Sequence, residues 1–552
     1  MNTRLLHTPE GVRDLYGSDL KKKIEIEETI RKVFDSNNYQ EIQTPTFEYF
    51  DVFSSDIGTT PSNDLYKFND SEGNTLVLRP DFTPSIARCC AKYFSEDDTE
   101  AKRFCYMGNT FANTSALQGK LKEVTQMGAE FMNVSSVDSD AEIISLMIEV
   151  LKSTGLDEFQ ISIGNVEYFK GLCEEVSLPK ETELKLREYI SGKNVFGAQN
   201  YLKDQNISDE SIEKLMSVTE AFGDVTELAK LKAINKDNTR CLEAISRLEK
   251  IYEILKEKNL DKYLTFDLGL LSKYNYYTGV VFNAYTYGIG EAIAKGGRYD
   301  NLLGYFGKDA AAIGFCIVVD DILSALNSKD VEVKNEKRYL TFALGKGRLA
   351  NKTMELLGKL GIFCEEMMDK DTRKLIFVNE EYKLKFFLAK GPDVPTYVEY
   401  GAADIGVVGE DTIVEENRKV FEVLDLGFGK CRMCVCGPKS AKELLMHRER
   451  IRVATKYPLI AKDYFYNKKH QTVDIIKLNG SVELGPIVEL SDVIVDIVET
   501  GSTLRENGLE VLEEILPLSA RVIVNPVSMQ MESKRIKDII YRLKELCENE
   551  NC

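Results

Sequence analysis

The stretch from Asp492 to Leu504 constrains the fold more than any other part of this chain. An apolar run, Val493–Val498, leads straight into a tight Thr500-Gly501-Ser502-Thr503 turn, and the residues Leu504–Ile515 then read as a helix. A strand that turns directly into a helix is the repeating unit of α/β domains. The same unit begins near residue 339: a strand at Tyr339–Leu344, a Gly-containing loop at Gly345–Arg348 and a helix at Ala350–Leu360. Further strands fit Ile405–Val408, Met433–Cys436 and Ile451–Ala454. The expectation is a mainly parallel α/β region whose ligands bind at the carboxyl ends of its strands.

The turn has chemistry suited to a phosphorylated sugar. Gly501 removes the Cβ that would keep a phosphate from the backbone. Thr500, Ser502 and Thr503 offer hydroxyls, and a helix start beginning at Leu504 offers free N–H groups. Asp496 and Glu499 would repel a phosphate but accept hydrogen bonds from ribose hydroxyls. An ordinary strand–helix turn with Thr503 as its cap explains the same residues, and the loop alone leaves the two readings level.

Upstream, the pattern differs. Helical stretches at Leu20–Ser36 and Asp140–Thr154 alternate with strand-like runs at Thr75–Leu78, Phe159–Ile163 and Val280–Asn283, an α+β style. A charged stretch over residues 179–260 repeats apolar positions at helical spacing and reads as an inserted helical subdomain. The polar residues 328–337 form the linker, dividing the chain into residues 1–327 and 338–552.

With 552 residues and a net charge of −18, the chain lacks the basic balance of a nucleic-acid binder. Its apolar runs are too short to span a bilayer, and residues 1–13 carry no secretory signal, so a cytoplasmic location is expected. Twelve cysteines are too sparse for a disulfide scaffold. Cys431, Cys434 and Cys436 sit on a strand with Cys431 facing away from the other two, so no metal site is expected there. The three histidines sit in no nucleophile–base setting, which opposes hydrolase chemistry.

Several segments occur in a telling order: Leu344–Leu349 with Lys346 and Arg348, Lys390–Val398, Gly401–Asp411, Gly427–Arg432, Ala454–Pro458, Leu478–Leu484 and the Asp492–Leu504 loop. Together they resemble the short form of ATP phosphoribosyltransferase, the first enzyme of histidine biosynthesis, over essentially all of residues 338–548. The resemblance implies a two-lobed α/β architecture, periplasmic-binding-protein-like, with the second lobe at about 433–509 and the active site between the lobes. It implies attack by N1 of the ATP adenine on C1′ of phosphoribosyl pyrophosphate, with pyrophosphate leaving and Mg²⁺ required. By this likeness Asp496, Glu499, Thr500, Gly501, Ser502, Thr503 and Leu504 hold the phosphoribosyl group. Lys346, Arg348 and Arg432 serve the pyrophosphate or ATP phosphates, and Glu483 lies near the adenine. The short form carries no regulatory domain of its own.

The upstream region has a second likeness. Thr8–Asp14, Thr44–Glu48, Leu78–Thr83 and Lys295–Leu302 resemble the catalytic core of histidyl-tRNA synthetase, a class II antiparallel-sheet fold, over residues 1 to about 326. Three arginines of that family are missing: Ala112, Ser272 and Asp321 stand in their places. Adenylate formation needs those cations on the ATP phosphates and the amino-acid carboxylate. What remains resembles the amino-acid pocket: Asp81, Thr83, Gln126, Glu130, Tyr276 and Tyr277. The combination resembles the regulatory subunit that partners short transferases, here joined ahead of the transferase. The expected partners are ATP, phosphoribosyl pyrophosphate and histidine as inhibitor, within a homo-oligomer. Lys273 is left to replace the lost arginine at the histidine carboxylate. The alternatives are an aminoacylating enzyme, which the missing arginines oppose, and a two-lobed binding module, which the intact Glu499–Thr503 loop opposes.

Overall fold

The computed structural model describes residues 6–54, 60–94, 97–114, 119–271, 276–329, 338–368, 374–447 and 450–550. The chain divides into two compact units, Met1–Lys334 and Asn335–Cys552. The helix Val319–Lys329 extends past Ser328, so it takes in the first residues of the stretch read as linker.

The first unit is built on a nine-stranded sheet. Its centre is antiparallel: Lys102–Phe111, Glu123–Met132, Ala312–Val318, Ala294–Arg298, Val280–Thr286 and Phe159–Asn165 follow one another across it. Alternation along these strands sends Met127, Ala129, Phe131, Ile313, Phe315 and Ile317 into a large core together with residues of the helices Gly17–Ser36 and Val137–Ser153. The other face carries Phe104, Tyr106, Gln126, Gly128, Glu130, Gly314 and Cys316, and the helix Thr83–Tyr93 covers part of it through Ile86 and Cys90. Between residues 180 and 257 run five helices, ending in Thr239–Glu257. Its apolar residues Ala244, Ile245, Leu248 and Ile251 recur at helical spacing and are buried in the same large core.

The second unit contains two mixed sheets. One, of six strands, orders Ile376–Asn379, Leu384–Ala389, Leu340–Gly345, Ile405–Gly409, Ala520–Val524 and Phe421–Asp425. The other, of five, orders Val473–Lys477, Ile451–Thr455, Val493–Val498, Cys431–Gly437 and Glu510–Leu518. The central strands of each are parallel, as expected, but Ile376–Asn379 is an antiparallel edge strand of the first, and two antiparallel neighbours flank the opposite side of that sheet and one side of the second.

Those neighbours arise because the chain crosses between the sheets twice. It leaves the first sheet after Asp425 and returns through Ser519 alone. This corrects two expectations. The helix read over Leu504–Ile515 is only Ser502–Glu506, and Glu510–Leu518 is a strand on the edge of the second sheet. Gly508, at φ +72°, ends the helical turn, and pairing with Cys431–Gly437 then holds the segment extended. The second sheet therefore continues beyond residue 509, to Leu518. Cys434 and Cys436 pack in one core and Cys431 beside the other, as their spacing on a strand requires.

Candidate functional sites

The parallel strands of both sheets end in the segments that carry the sequence signals. In the first sheet, Leu340–Gly345 ends at Lys346 and Arg348, and Ile405–Gly409 ends at Glu410 and Asp411. In the second, Ile451–Thr455 ends at Lys456 and Tyr457, and Val493–Val498 ends at Glu499. Edges of this kind gather loops that bind ligands.

Gly347 adopts φ +107° and Gly501 φ +70°, a region that costs a residue with a Cβ. At Gly501 an added Cβ would sit 3.5 Å from Arg505 Nη1, so conformation rather than space demands glycine there. Thr500 Oγ1 and Ser502 Oγ lie 3.1 Å apart, both exposed, and Thr503 is exposed beside them. Leu504 is 6% exposed and packs with Cys434, Ala454 and Val498, so its side chain anchors the loop and only its backbone faces the turn. Because the helix is one short turn, its dipole adds little; the hydroxyls and turn N–H groups are the donors.

Glu499 is not idle. Its carboxylate accepts two hydrogen bonds from Arg348, at 3.2 and 3.1 Å, joining an edge of the first sheet to the loop on the second. Tyr457 hydrogen-bonds Asp411, and Glu415 accepts the backbone N–H groups of Leu459 and Ile460 at 3.0 and 3.2 Å. These contacts also link the two sheets. Arg432 lies opposite Val498 on the neighbouring strand and pairs with Glu514 at 2.9 Å. Lys346 is exposed, its backbone N–H bonded to Ala389 O at 2.8 Å. Asp496 is pushed up to about 6 by burial, with Glu483 adding to the shift and Lys456 opposing it. Asp496, Glu483 and Lys456 are thus electrostatic neighbours. Asp411, Lys456 and Tyr457 were not singled out by sequence reasoning, and their position just past parallel strands is the signal that could have found them.

The first unit has its own cavity, about 110 Å³, on the sheet face opposite the large core. Asp81, Thr83, Gln126, Glu130, Tyr276 and Tyr277 all line it. Glu130 is 1% exposed; it accepts from Thr83 Oγ1 at 3.0 Å and from the Tyr299 hydroxyl. Burial pushes its carboxyl up to about 8, the two hydrogen bonds pull against that, and nearby Asp81 adds to it. Burial also raises Asp81, whose carboxylate accepts the Thr83 N–H at 3.3 Å. Gln126 Oε1 is buried without a hydrogen-bond partner among the described residues. Glycine makes room on this face: a Cβ on Gly314 would strike the Glu130 carboxylate, and one on Gly128 the Tyr106 hydroxyl.

The positions of the missing arginines differ in what they show. Ala112 follows the strand Lys102–Phe111, its N–H bonded to Lys122 O at 2.9 Å. Asp321 is pushed up to about 6, first by burial and then by Glu291, with Lys295 and Arg13 pulling against the shift. Ser272 and Lys273 lie outside the described residues. No helix is long and apolar enough to cross a membrane among the described residues.

Comparison with known proteins follows this division. A profile of the family described as Histidyl-tRNA synthetase matches residues 11–322, and one described as ATP phosphoribosyltransferase matches residues 390–545. An ATP phosphoribosyltransferase of Lachnoclostridium phytofermentans is 74% identical over 209 residues, 38% of this chain and 97% of that protein. An ATP phosphoribosyltransferase regulatory subunit of Acetivibrio thermocellus is 39% identical over 334 residues, 60% of this chain and 79% of that protein. A crystal structure from Bacillus halodurans, titled an ATP phosphoribosyltransferase regulatory subunit/histidyl-tRNA synthetase, shares 28% identity at a TM-score of 0.54, covering 70% of this chain and 99% of that one. The chain therefore belongs, through its second unit, to the ATP phosphoribosyltransferase family and, through its first, to the histidyl-tRNA-synthetase-like family of that enzyme's regulatory subunits.

Proposed function

We propose that this chain is a self-regulated transferase: its second unit joins ATP to phosphoribosyl pyrophosphate, and its first senses histidine, the end product. The reaction is the first step of histidine biosynthesis, giving N1-(5-phosphoribosyl)-ATP and pyrophosphate. It needs no covalent nucleophile. Positioning the adenine N1 against C1′ and neutralising charge on the leaving pyrophosphate supply the rate.

In this reading the two sheets form two lobes, and the substrates lie along their carboxyl edges. The Thr500–Thr503 turn holds the 5′-phosphate, while Asp496 and Glu499 accept from the ribose hydroxyls. Lys346, Arg348 and Arg432 face the pyrophosphate or the ATP phosphates, and Glu483 the adenine. Arg348 must then exchange Glu499 for substrate, an exchange a solvent-exposed pair permits at small cost.

Mg²⁺ would supply charge neutralisation on the pyrophosphate. Among the described residues no three His, Cys, Asp or Glu side chains group into a cage. Such an ion would be carried on substrate oxygens and touched by one or two carboxylates. Glu483 and Asp496 are the carboxylates in mutual electrostatic reach that fit this role.

The observation that carries the regulatory part is the gathering of six amino-acid-binding groups around one cavity, in a chain that has Ala112 and Asp321 where the synthetases it resembles have phosphate-holding arginines. A homo-oligomer in the cytoplasm is the setting that fits such an enzyme. The test is pyrophosphate release from ATP and phosphoribosyl pyrophosphate by the full chain, with and without histidine. Release that histidine suppresses is the expected result. Release unaffected by saturating histidine would sink the sensor, and no release at all would sink the transferase.

A further inference from the structure

A free amino acid carries a positive and a negative end, and both must be matched when it leaves water. The cavity of the first unit offers the positive end a generous choice: Asp81, Glu130 and the unpartnered Gln126 Oε1. For the negative end, the arginine of the related synthetases is gone. Among the described residues lining the cavity, the one cation is Lys295.

We propose that Lys295 holds the α-carboxylate of the amino acid bound in this cavity, a role that rests on reading the cavity as the histidine sensor. Lys295 lies on the strand Ala294–Arg298 opposite Cys316, and Cys316 lies opposite Gly128. Residues directly opposite in an antiparallel pair point to the same face, so Lys295 projects toward the cavity side with Cys316 and Glu130. Glu130 sits two strands across and two residues along, which places the two α-carbons roughly 12 Å apart. A lysine side chain covers part of that span and a histidine the remainder, with its ammonium or imidazole end at Glu130.

Lys295 is exposed, and no ion pair joins it to another described residue. Its charge is felt at Cys316 and at Asp321. A lysine kept only to offset Asp321 would make the same electrostatic contact, so the test must read the ligand's carboxylate itself.

The measurement is calorimetric titration of the full chain with histidine and with histidinol, which keeps the ammonium and the imidazole but lacks the carboxylate. In Lys295→Met, the histidine Kd should rise at least tenfold while that of histidinol changes less than threefold. Lys295→Arg should recover most of the histidine affinity. Histidine binding within twofold of wild type in Lys295→Met would overturn the assignment while leaving the sensor standing. Equal losses for both ligands would also overturn it, since they would mark a disturbed cavity rather than a lost carboxylate partner. If the wild-type chain bound neither ligand, the sensor reading would fall and this assignment with it.

Discussion

Glu130 sets up a trade between stability and binding that can be measured. In the folded chain its carboxyl is pushed up to about 8 by burial, against an ordinary value of 4.5. A carboxyl with a raised folded pKa contributes stability that is fully present below its unfolded pKa and is lost as pH rises through the folded one. At pH 5 the folded state is protonated at this group and the unfolded state retains about a quarter of its protons there; at pH 7 only the folded state is protonated. Linkage over that window gives a loss of roughly 2–3 kcal/mol between pH 5 and pH 7. Glu130→Gln removes the titration but keeps a carbonyl to accept from Thr83. The stability of the first unit in the variant, relative to wild type, should therefore climb by roughly 2–3 kcal/mol from pH 5 to pH 7. Urea unfolding of both proteins at intervals across that range gives the two curves. Parallel curves would refute the reasoning, because they would mean the carboxyl ionises in the fold as readily as in water. The same variant should lose histidine inhibition, since a carboxyl can release its proton to match an incoming ammonium or imidazolium and an amide cannot.

Two further outcomes are expected. Thr500→Ala with Thr503→Ala should raise the KM for phosphoribosyl pyrophosphate, each lost hydroxyl bond to a charged phosphate being worth roughly 1.5–3 kcal/mol; unchanged steady-state kinetics would remove the turn from the site. The purified chain should show no histidine-dependent exchange of pyrophosphate into ATP, because Ala112 and Asp321 stand where cations would hold the reacting phosphates; exchange above background would restore the synthetase reading.

Much of this was readable from residues alone, and the failures have physical causes. Asp81, Glu130 and Tyr277 are far apart in the chain, yet the resemblance grouped them, and all three line one cavity. Lys295 was quoted within such a motif, but its place in the cavity comes from strand pairing with Cys316, which no local pattern reveals. The stretch Glu510–Leu518 was misread because Val511, Leu512, Ile515 and Leu516 suit a helix face as well as an edge strand. What decides it is Cys431–Gly437, a partner distant in sequence, and the one local hint was Gly508. Likewise, strand–helix alternation gave the parallel centres of the sheets but could not announce a chain that crosses between them and returns.

That double crossing has a mechanical meaning. Leu426 N–H donates to Ala520 O at 2.9 Å, and Ala520 N–H to Phe428 O at 3.0 Å, so the outgoing and returning strands are stitched to each other. Asp425 fastens the same spot, accepting from Ser519 Oγ and from Gly427 N–H, each at 2.8 Å. Two sheets tied at one seam can rotate about it more easily than they can slide or separate, as the covers of a book turn on a spine. Polar links also join the two sheets, Arg348 to Glu499 and Glu415 to the Leu459 N–H, and such exposed contacts break at modest cost while the stitched strands at the seam stay paired.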